Sequence, residues 1–392
     1  MLPEVIDLLA EMIRTDSRNT APLEAQVERV ATEEQMSLIV KRCLTEMGFA
    51  IEEQFIAPHR PNVIGFHDCG IPGAPIIGYN AHLDTVGTDN MTIPPFDPVI
   101  RDGMIYGRGS ADTKCSLAAM LKASEKLIQE RLPISILFVA TSSEETGCQG
   151  SALLDLSNYR CDGFLVGEPT SCLPVVFHKN HVTVRFACRG KSAHGSRPEL
   201  GDNAVVKAAR LVVWLDEVAR PRIEAITSPN FTRGCTFGAN VIHGGRKGNI
   251  VPDFCEVECD IRLLPEVPEY RPFLQRLAED ASAALGFPVE ITYQHGSHAM
   301  GTPVSHPFVQ TVCRVVQEAG NSPEPISVAY CTDGGNISAM GFPCVVLGPG
   351  DIANAHGAVE YAPVAQIRQA AEIYAGVGRR MSGLKTQANT TN

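Results

Sequence analysis

The chain has no long apolar run, no basic excess and no paired-cysteine motif, and each lack removes a class of function. No hydrophobic stretch approaches the ~18 residues that a membrane-crossing helix needs, so a membrane is not an expected partner. Acidic residues number 44 against 33 Lys and Arg, for a formal net charge of -11. Gripping a nucleic-acid backbone takes a concentrated Lys/Arg face, and without one nucleic acid is not expected either. Leu2 to Arg14 carries Glu4, Asp7 and Glu11 in a helical pattern instead of a secretory signal, which makes the cytoplasm the expected compartment. The 13 cysteines are odd in number and include no CxxC pair, so reduced thiols are expected. Cys255 and Cys259 alternate along one strand and are expected in a buried face. Cys115 and Cys148 lie beside the chemistry-bearing motifs and could be sensitive to oxidation. Internal repeats and low-complexity tracts are missing as well.

What is present is globular. At 392 residues, 44% hydrophobic and 20% charged, the chain can bury a large core and exceeds the usual span of one domain. Helical patterns at 2–14 and 26–47 precede strands at 51–55, 62–66 and 75–79, a helix at 115–129, and strands at 134–140 and 163–167. This α/β rhythm predicts a mostly parallel mixed sheet with helices on both faces. From His181 the order becomes βαββαβ, an inserted α+β ferredoxin-like module; after Pro303 the first rhythm resumes. The expected organisation is a catalytic domain, 1–178, a lid, 179–295, the rest of the catalytic domain, 296–381, and a loose polar tail, 382–392.

Polar residues gather where strands end. His82 and Asp84 leave the apolar run 75–79 two residues apart, so their side chains point to one side and the carboxylate can hold the imidazole. Asp112, in Gly107-Arg-Gly-Ser-Ala-Asp112, offers a carboxylate able to bridge two cations. Glu144 and Glu145 follow the strand ending at Ala140, where an α/β sheet presents its ligands. Adjacent carboxylates point apart, so one can bind metal while its neighbour reaches an attacking water. Glu168 leaves the strand 163–167 before Pro169, and His356 follows a Gly/Pro loop. Together His82, Asp112, Glu145, Glu168 and His356 make a mixed N/O set for two divalent cations sharing Asp112. Zinc suits it, with cobalt or manganese as alternatives. The motifs add no Arg or Lys cluster of the kind a two-metal phosphatase would need.

These segments resemble the M20 metallopeptidase family over roughly 61–361, through His82-Leu-Asp84-Thr, Gly107 to Asp112, Glu144-Glu145, Gly167-Glu168-Pro-Thr and Ala355-His356. Within it, His178 to His181, Ile242 to Asn249, Asp260-Ile-Arg262, Tyr330 to Asp333 and Leu347 to Gly350 resemble the acetylornithine deacetylase branch. The resemblance implies a zinc-peptidase-like fold with a lid that also dimerises. It also implies that His82 and Glu168 hold one metal, Glu145 and His356 the other, and that Asp112 bridges. Asp84 would orient His82, and Glu144 would act as general base. His194 resembles a lid histidine that reaches across a homodimer to the oxyanion. Arg262, with Asn249, Gly334 and Gly335, is a candidate for the substrate carboxylate, and Asp333 for a cationic side chain. The implied reaction is removal of the N-acyl group from a small N-acyl amino acid, first of all N2-acetyl-L-ornithine to L-ornithine and acetate, a step of arginine biosynthesis. Succinyl-diaminopimelate desuccinylase, aminoacylase and dipeptidase or carboxypeptidase activities share every metal ligand. A noncatalytic binding protein on the same fold would be expected to lack Glu144 or a ligand. Departures from the family pattern are Ser143 where an acid commonly precedes the Glu pair, Cys115 in place of Gly, and Ala358 in place of Pro.

Overall fold

In the strand Ser135–Thr141 all seven residues are buried. Side chains alternate across a strand, so complete burial means that both faces of the sheet are covered. The computed structural model describes residues 1–19, 33–267 and 269–388 and contains two compact units. The first comprises Met1–Phe177, Met300–Ser327 and the chain from Thr332; the second comprises His178–Ala299 and Val328–Cys331.

The first unit is built on a nine-stranded sheet. Its path runs Ala50–Ala57, Arg60–His67, Ser135–Thr141, Ile76–His82, Gly163–Val166, Cys344–Val346, Val175–His178 and Met300–Gly301, with Ile326–Val328 pairing on Val175–His178. The four strands at its centre, from Ser135–Thr141 to Cys344–Val346, are parallel. Antiparallel strands flank them. Ile136, Phe138 and Ala140 face a core that also takes Leu8, Leu9, Met12 and Ile13 from the helix Val5–Arg14 and Leu117, Met120 and Leu121 from the helix Lys114–Gln129. Burying each of the large aliphatic side chains contributes roughly 1.5–3 kcal/mol.

The second unit is a four-stranded antiparallel sheet in the order Thr236–Gly244, Phe254–Arg262, Val182–Arg189, Val289–Gly296. Numbered within the unit this is 2-3-1-4, the ferredoxin-like arrangement. Phe254–Arg262 alternates half-buried and buried positions, so one face is packed. Cys255, Val257, Cys259 and Ile261 lie on that face, in a core shared with Leu211 and Leu274 from the helices Ala204–Trp214 and Tyr270–Leu285. Asn203 caps the first of these helices, its side chain accepting from the Val205 and Val206 N–H groups.

Two sequence expectations need correction or limits. The last helix runs Val364–Ala388, so the polar stretch from Ser382 continues a helix where a loose tail was expected. It needs no apolar stripe there because an established helix propagates on backbone bonds. The second helix is described over Glu33–Glu46; its expected start at 26–32 lies outside the described residues, as do 389–392.

Candidate metal centre

The parallel strands deliver the polar residues together. His82 is in register with Thr141, and Asn80 with Val166, so two strands end level and the third ends two residues short of them. His82 closes its strand, Glu144 and Glu145 follow Thr141, and Glu168 follows Val166. Gly348 lets the neighbouring loop approach, since a Cβ there would lie 2.5 Å from the Glu168 carbonyl oxygen. Asp112 arrives on the loop before the helix Lys114–Gln129. Thr113 Oγ1 donates to the Gly167 carbonyl at 2.8 Å, which ties that loop to the Glu168 turn.

Two groups of three result. His82, Asp112 and Glu168 form one, and Asp112, Glu145 and His356 the other, each with ligand atoms within 4.8 Å of one another. Asp112 belongs to both: Oδ1 lies 3.0 Å from His82 Nε2 and Oδ2 lies 3.3 Å from His356 Nε2. His356 Nε2 is also 2.9 Å from Glu145 Oε2, and His82 Nε2 is 4.0 Å from Glu168 Oε1. His82 and Glu168 are buried, whereas the His356 side chain is 52% exposed.

The charges identify what would fit. Burial disfavours the imidazolium of His82, yet hydrogen bonds to Asp112 and Asp84 outweigh it and hold His82 well above its usual range. The Asp112 carboxyl feels burial too, but hydrogen bonds from His356 and His82 keep it far below the usual carboxylate range. Burial and then the charge of Asp112 push Glu145 up to about 7 and Glu168 well above its ordinary value. Burial and the charge of Glu168 do the same to Glu144. Four carboxyls, of which Asp112 and Glu168 belong to buried residues, with only two imidazoles leave the site short of positive charge. Two divalent cations on this N/O donor set would supply it.

Asp84 does more than the sequence implied. His82 Nδ1 donates to the Asp84 backbone carbonyl at 2.9 Å and lies 3.4 Å from its carboxylate. That carboxylate accepts the N–H groups of Glu144 and Glu145, each at 3.1 Å. One residue therefore sets the imidazole with its backbone and the acid pair with its side chain. Ser143 is met by Glu33, which accepts its N–H at 2.7 Å. Burial and the charge of Asp84 push the Glu33 carboxyl up to about 8.

Among the described residues, neither group of three includes the other predicted residues. Asp333 is buried, with one carboxylate oxygen accepting from the Ser151 hydroxyl and the other from the Thr141 hydroxyl. Each oxygen accepts one hydroxyl, and the charge of Asp333 acts on Glu144 and Glu168, so Asp333 lies beside the acid cluster and its role toward a cationic substrate group stays a proposal. Gly334 and Gly335 are buried in the short helix Asp333–Ala339. Arg262, Asn249 and His194 belong to the second unit. Arg262 Nε and Nη2 face the two Asp260 oxygens at 3.0 and 3.2 Å. His194 is exposed, its Nδ1 2.7 Å from Ser196 Oγ, and it pairs with Ile250 next to Asn249. Cys115 is fully buried and its thiol is pushed far up, which removes the thiolate that oxidation needs. Cys148 Sγ lies 3.3 Å from Glu144 Oε1.

Sequence reading missed Glu360. Its buried carboxylate accepts the N–H groups of Ala111 and Asp112 at 2.9 and 3.1 Å and pairs with Arg108 at 2.5 Å. The pairing of Tyr361 with Tyr106 brings it there.

The profile of the peptidase family M20/M25/M40 matches residues 78–380. An acetylornithine deacetylase of Myxococcus xanthus is 29% identical over 336 residues, covering 82% of this chain and 85% of that protein. A tripeptidase structure from Staphylococcus aureus shares the fold, with a TM-score of 0.74 at 21% identity, over 97% of this chain and 98% of the other. A Bacillus subtilis structure described as a dinuclear metal binding peptidase of the M20 family superposes with a TM-score of 0.66 at 13% identity, over 97% and 98% of the two chains.

Proposed function

The chain belongs to the peptidase family M20/M25/M40 and is a metal-dependent hydrolase acting on amides; from that premise we propose that it removes the acyl group from a small N-acyl amino acid, N2-acetyl-L-ornithine first among them, giving L-ornithine and acetate. The observation that carries the reading is Asp112, whose two oxygens each face a histidine Nε2. Support for this substrate comes from the similarity to an acetylornithine deacetylase and from motifs that resemble the deacetylase branch.

His82 and Glu168 would hold one cation, Glu145 and His356 the other, with Asp112 between them and zinc the metal of choice. Divalent cations bound there supply Lewis acidity, lowering the pKa of water and offsetting charge on the amide oxygen. Glu144 takes the proton of the attacking water and returns one to the leaving amine. Burial and the charge of Glu168 raise the Glu144 carboxyl in the metal-free site, and the positive charge of bound cations would favour the carboxylate form that a base needs. Asp84 keeps Glu144 in place through its backbone N–H. Arg262 and Asn249 would receive the substrate carboxylate, Arg262 by a forked pair of hydrogen bonds. In a homodimer, His194 of one protomer would serve the site of the other by donating to the oxyanion, an interaction worth ~3 kcal/mol for a well-placed donor.

The test combines metal analysis with initial rates on N-acetylornithine, N-acetylmethionine, N-succinyl-diaminopimelate and a dipeptide. The expected result is two divalent ions per chain and the highest kcat/KM on N-acetylornithine. A fully loaded protein that cleaves none of the four would overturn the hydrolase reading; a faster rate on the dipeptide would move the substrate to that of the peptidase neighbours.

A further inference from the structure

The loop that carries the two glutamates is held by residues far from it in sequence. Ser143 sits at a φ of 58°, a left-handed conformation that a residue with a Cβ keeps only when its surroundings enforce it. Glu33 provides that enforcement. Its Oε1 accepts the Ser143 N–H at 2.7 Å and the Ser143 hydroxyl at 3.2 Å, while Oε2 faces Arg60 Nε at 3.2 Å. Arg60 Nη1 also donates to Ser143 Oγ, at 3.3 Å, so acid and base close around one residue. Glu33 is 2% exposed, and such a carboxylate, spent on a backbone N–H and a guanidinium, fixes geometry.

Asn19 acts at the other end of the same loop. Its Nδ2 donates to Thr146 Oγ1 at 3.3 Å and to Asp84 Oδ2 at 3.2 Å. Asp84 in turn receives the N–H groups of Glu144 and Glu145. Glu144 therefore lies between two anchors, at Ser143 and Thr146, whose partners are 110 and 127 positions away along the chain. Asn19, Glu33 and Arg60 all precede residue 78, where the family match begins.

We propose that Glu33 and Asn19 are positioning residues that hold the Ser143–Thr146 loop so that Glu144 meets the attacking water in a productive geometry. The inference rests on the hydrolase reading above. It requires kcat to fall while KM stays, because the substrate's own contacts are untouched.

Glu33→Ala, Glu33→Gln and Asn19→Ala are compared with the parent protein, all metal-loaded, by kcat and KM on N-acetylornithine, metal content, thermal midpoint and hydrogen exchange of the peptide spanning 141–150. Glu33→Ala and Asn19→Ala are expected to lose roughly 10- to 100-fold in kcat, the scale of a ~1 Å misplacement, with KM within twofold and both metals retained. Exchange of the 141–150 peptide rises at least tenfold in both. Glu33→Gln keeps an oxygen for the Ser143 N–H and recovers most of the loss, which a merely structural carboxylate would not explain. Unchanged exchange in both alanine variants overturns the proposal whatever the activity, as does a kcat within twofold of the parent. Should Glu33→Ala fail to fold, Asn19→Ala decides on the same thresholds. The exchange readout stands even if the parent hydrolyses none of the substrates, so failure of the hydrolase reading is distinguishable.

Discussion

The two units hold their polar residues in opposite ways. In the first, interacting partners are distant in sequence and buried: His82 with Asp112 across 30 positions, Arg108 with Glu360 across 252. In the second, half-buried Arg262 faces Asp260 and exposed His194 faces Ser196, each two positions away. The first arrangement is preorganised, since every side chain is fixed before anything binds. The second pairs other groups across strands, as His181 with Asp260 and Arg185 with Glu258, but leaves Arg262 and His194 with near neighbours that a ligand can replace. Sheet construction follows the same division: the strand Ser135–Thr141 is buried on both faces, and Phe254–Arg262 on one. A buried acid cluster needs that double cover; a sheet with one face toward solvent does not hold one.

If the first unit performs the chemistry, the largest effect belongs to Glu144. Glu144→Ala is expected to keep both metals, because neither group of three includes it, and to lose roughly 100- to 10,000-fold in kcat, the range for a general base. Turnover near that of the parent at full metal occupancy would remove Glu144 from the mechanism and break the contrast between the units.

Metal removal should expose the same preorganisation as a pH dependence of stability. Without cations, Glu145 is raised to about 7 by burial and the charge of Asp112, and His356 to about 10 by hydrogen bonds to Asp112 and Glu145. A raised folded-state pKa gives stability that is complete below the unfolded value and lost as pH rises through the folded one. Glu145 therefore loses its share between about 4.5 and 7, and His356 between about 6.5 and 10. Asp112 is held low and contributes at full strength throughout that span. The chelated protein's melting temperature should fall by roughly 5 °C from pH 5 to pH 8, while the loaded protein stays nearly flat. Calorimetry on both forms checks this, and a chelated protein that gains stability toward pH 8 would contradict the charge account of the site.

The strand-end residues were legible in the sequence because their position follows from a local pattern. An apolar run predicts a buried strand, and the polar residue that ends it is placed at the sheet edge without knowing the neighbours; His82, Glu145 and Glu168 are of this kind. Glu33, Asn19 and Glu360 were not legible. Each acts through a partner more than 60 positions away, and in its own segment each reads as an ordinary helix-start or loop residue. The burial of Asp333 was not legible, for the complementary reason. An acid is expected at the surface, and only the hydroxyls of Thr141 and Ser151, brought in by the fold, make its burial tolerable. The ferredoxin-like order of the second unit was legible from element order alone, since βαββαβ admits few sheet arrangements.

The smallest expected effect tests the second unit. Arg262 is only loosely committed: its fork engages Asp260, whose Oδ2 also lies 2.8 Å from His181 Nε2. Asp260 therefore keeps a cationic partner if Arg262 turns to a substrate carboxylate, and hydrogen bonds to Asp260 and Cys331 already raise His181 to about 9. Arg262→Lys preserves the charge but removes the planar fork, so one hydrogen bond of a bidentate pair is lost, ~1 to 1.5 kcal/mol or roughly a tenfold rise in KM. Because Glu144 and the acid cluster are untouched, kcat should stay within twofold. Steady-state kinetics on N-acetylornithine separates the outcomes. An unchanged KM would confine Arg262 to its pair with Asp260, and the second unit would then need another group to receive the carboxylate. A fall in kcat at constant KM would instead mean that this surface pair reaches into the chemistry, contrary to a division in which the first unit alone is preorganised.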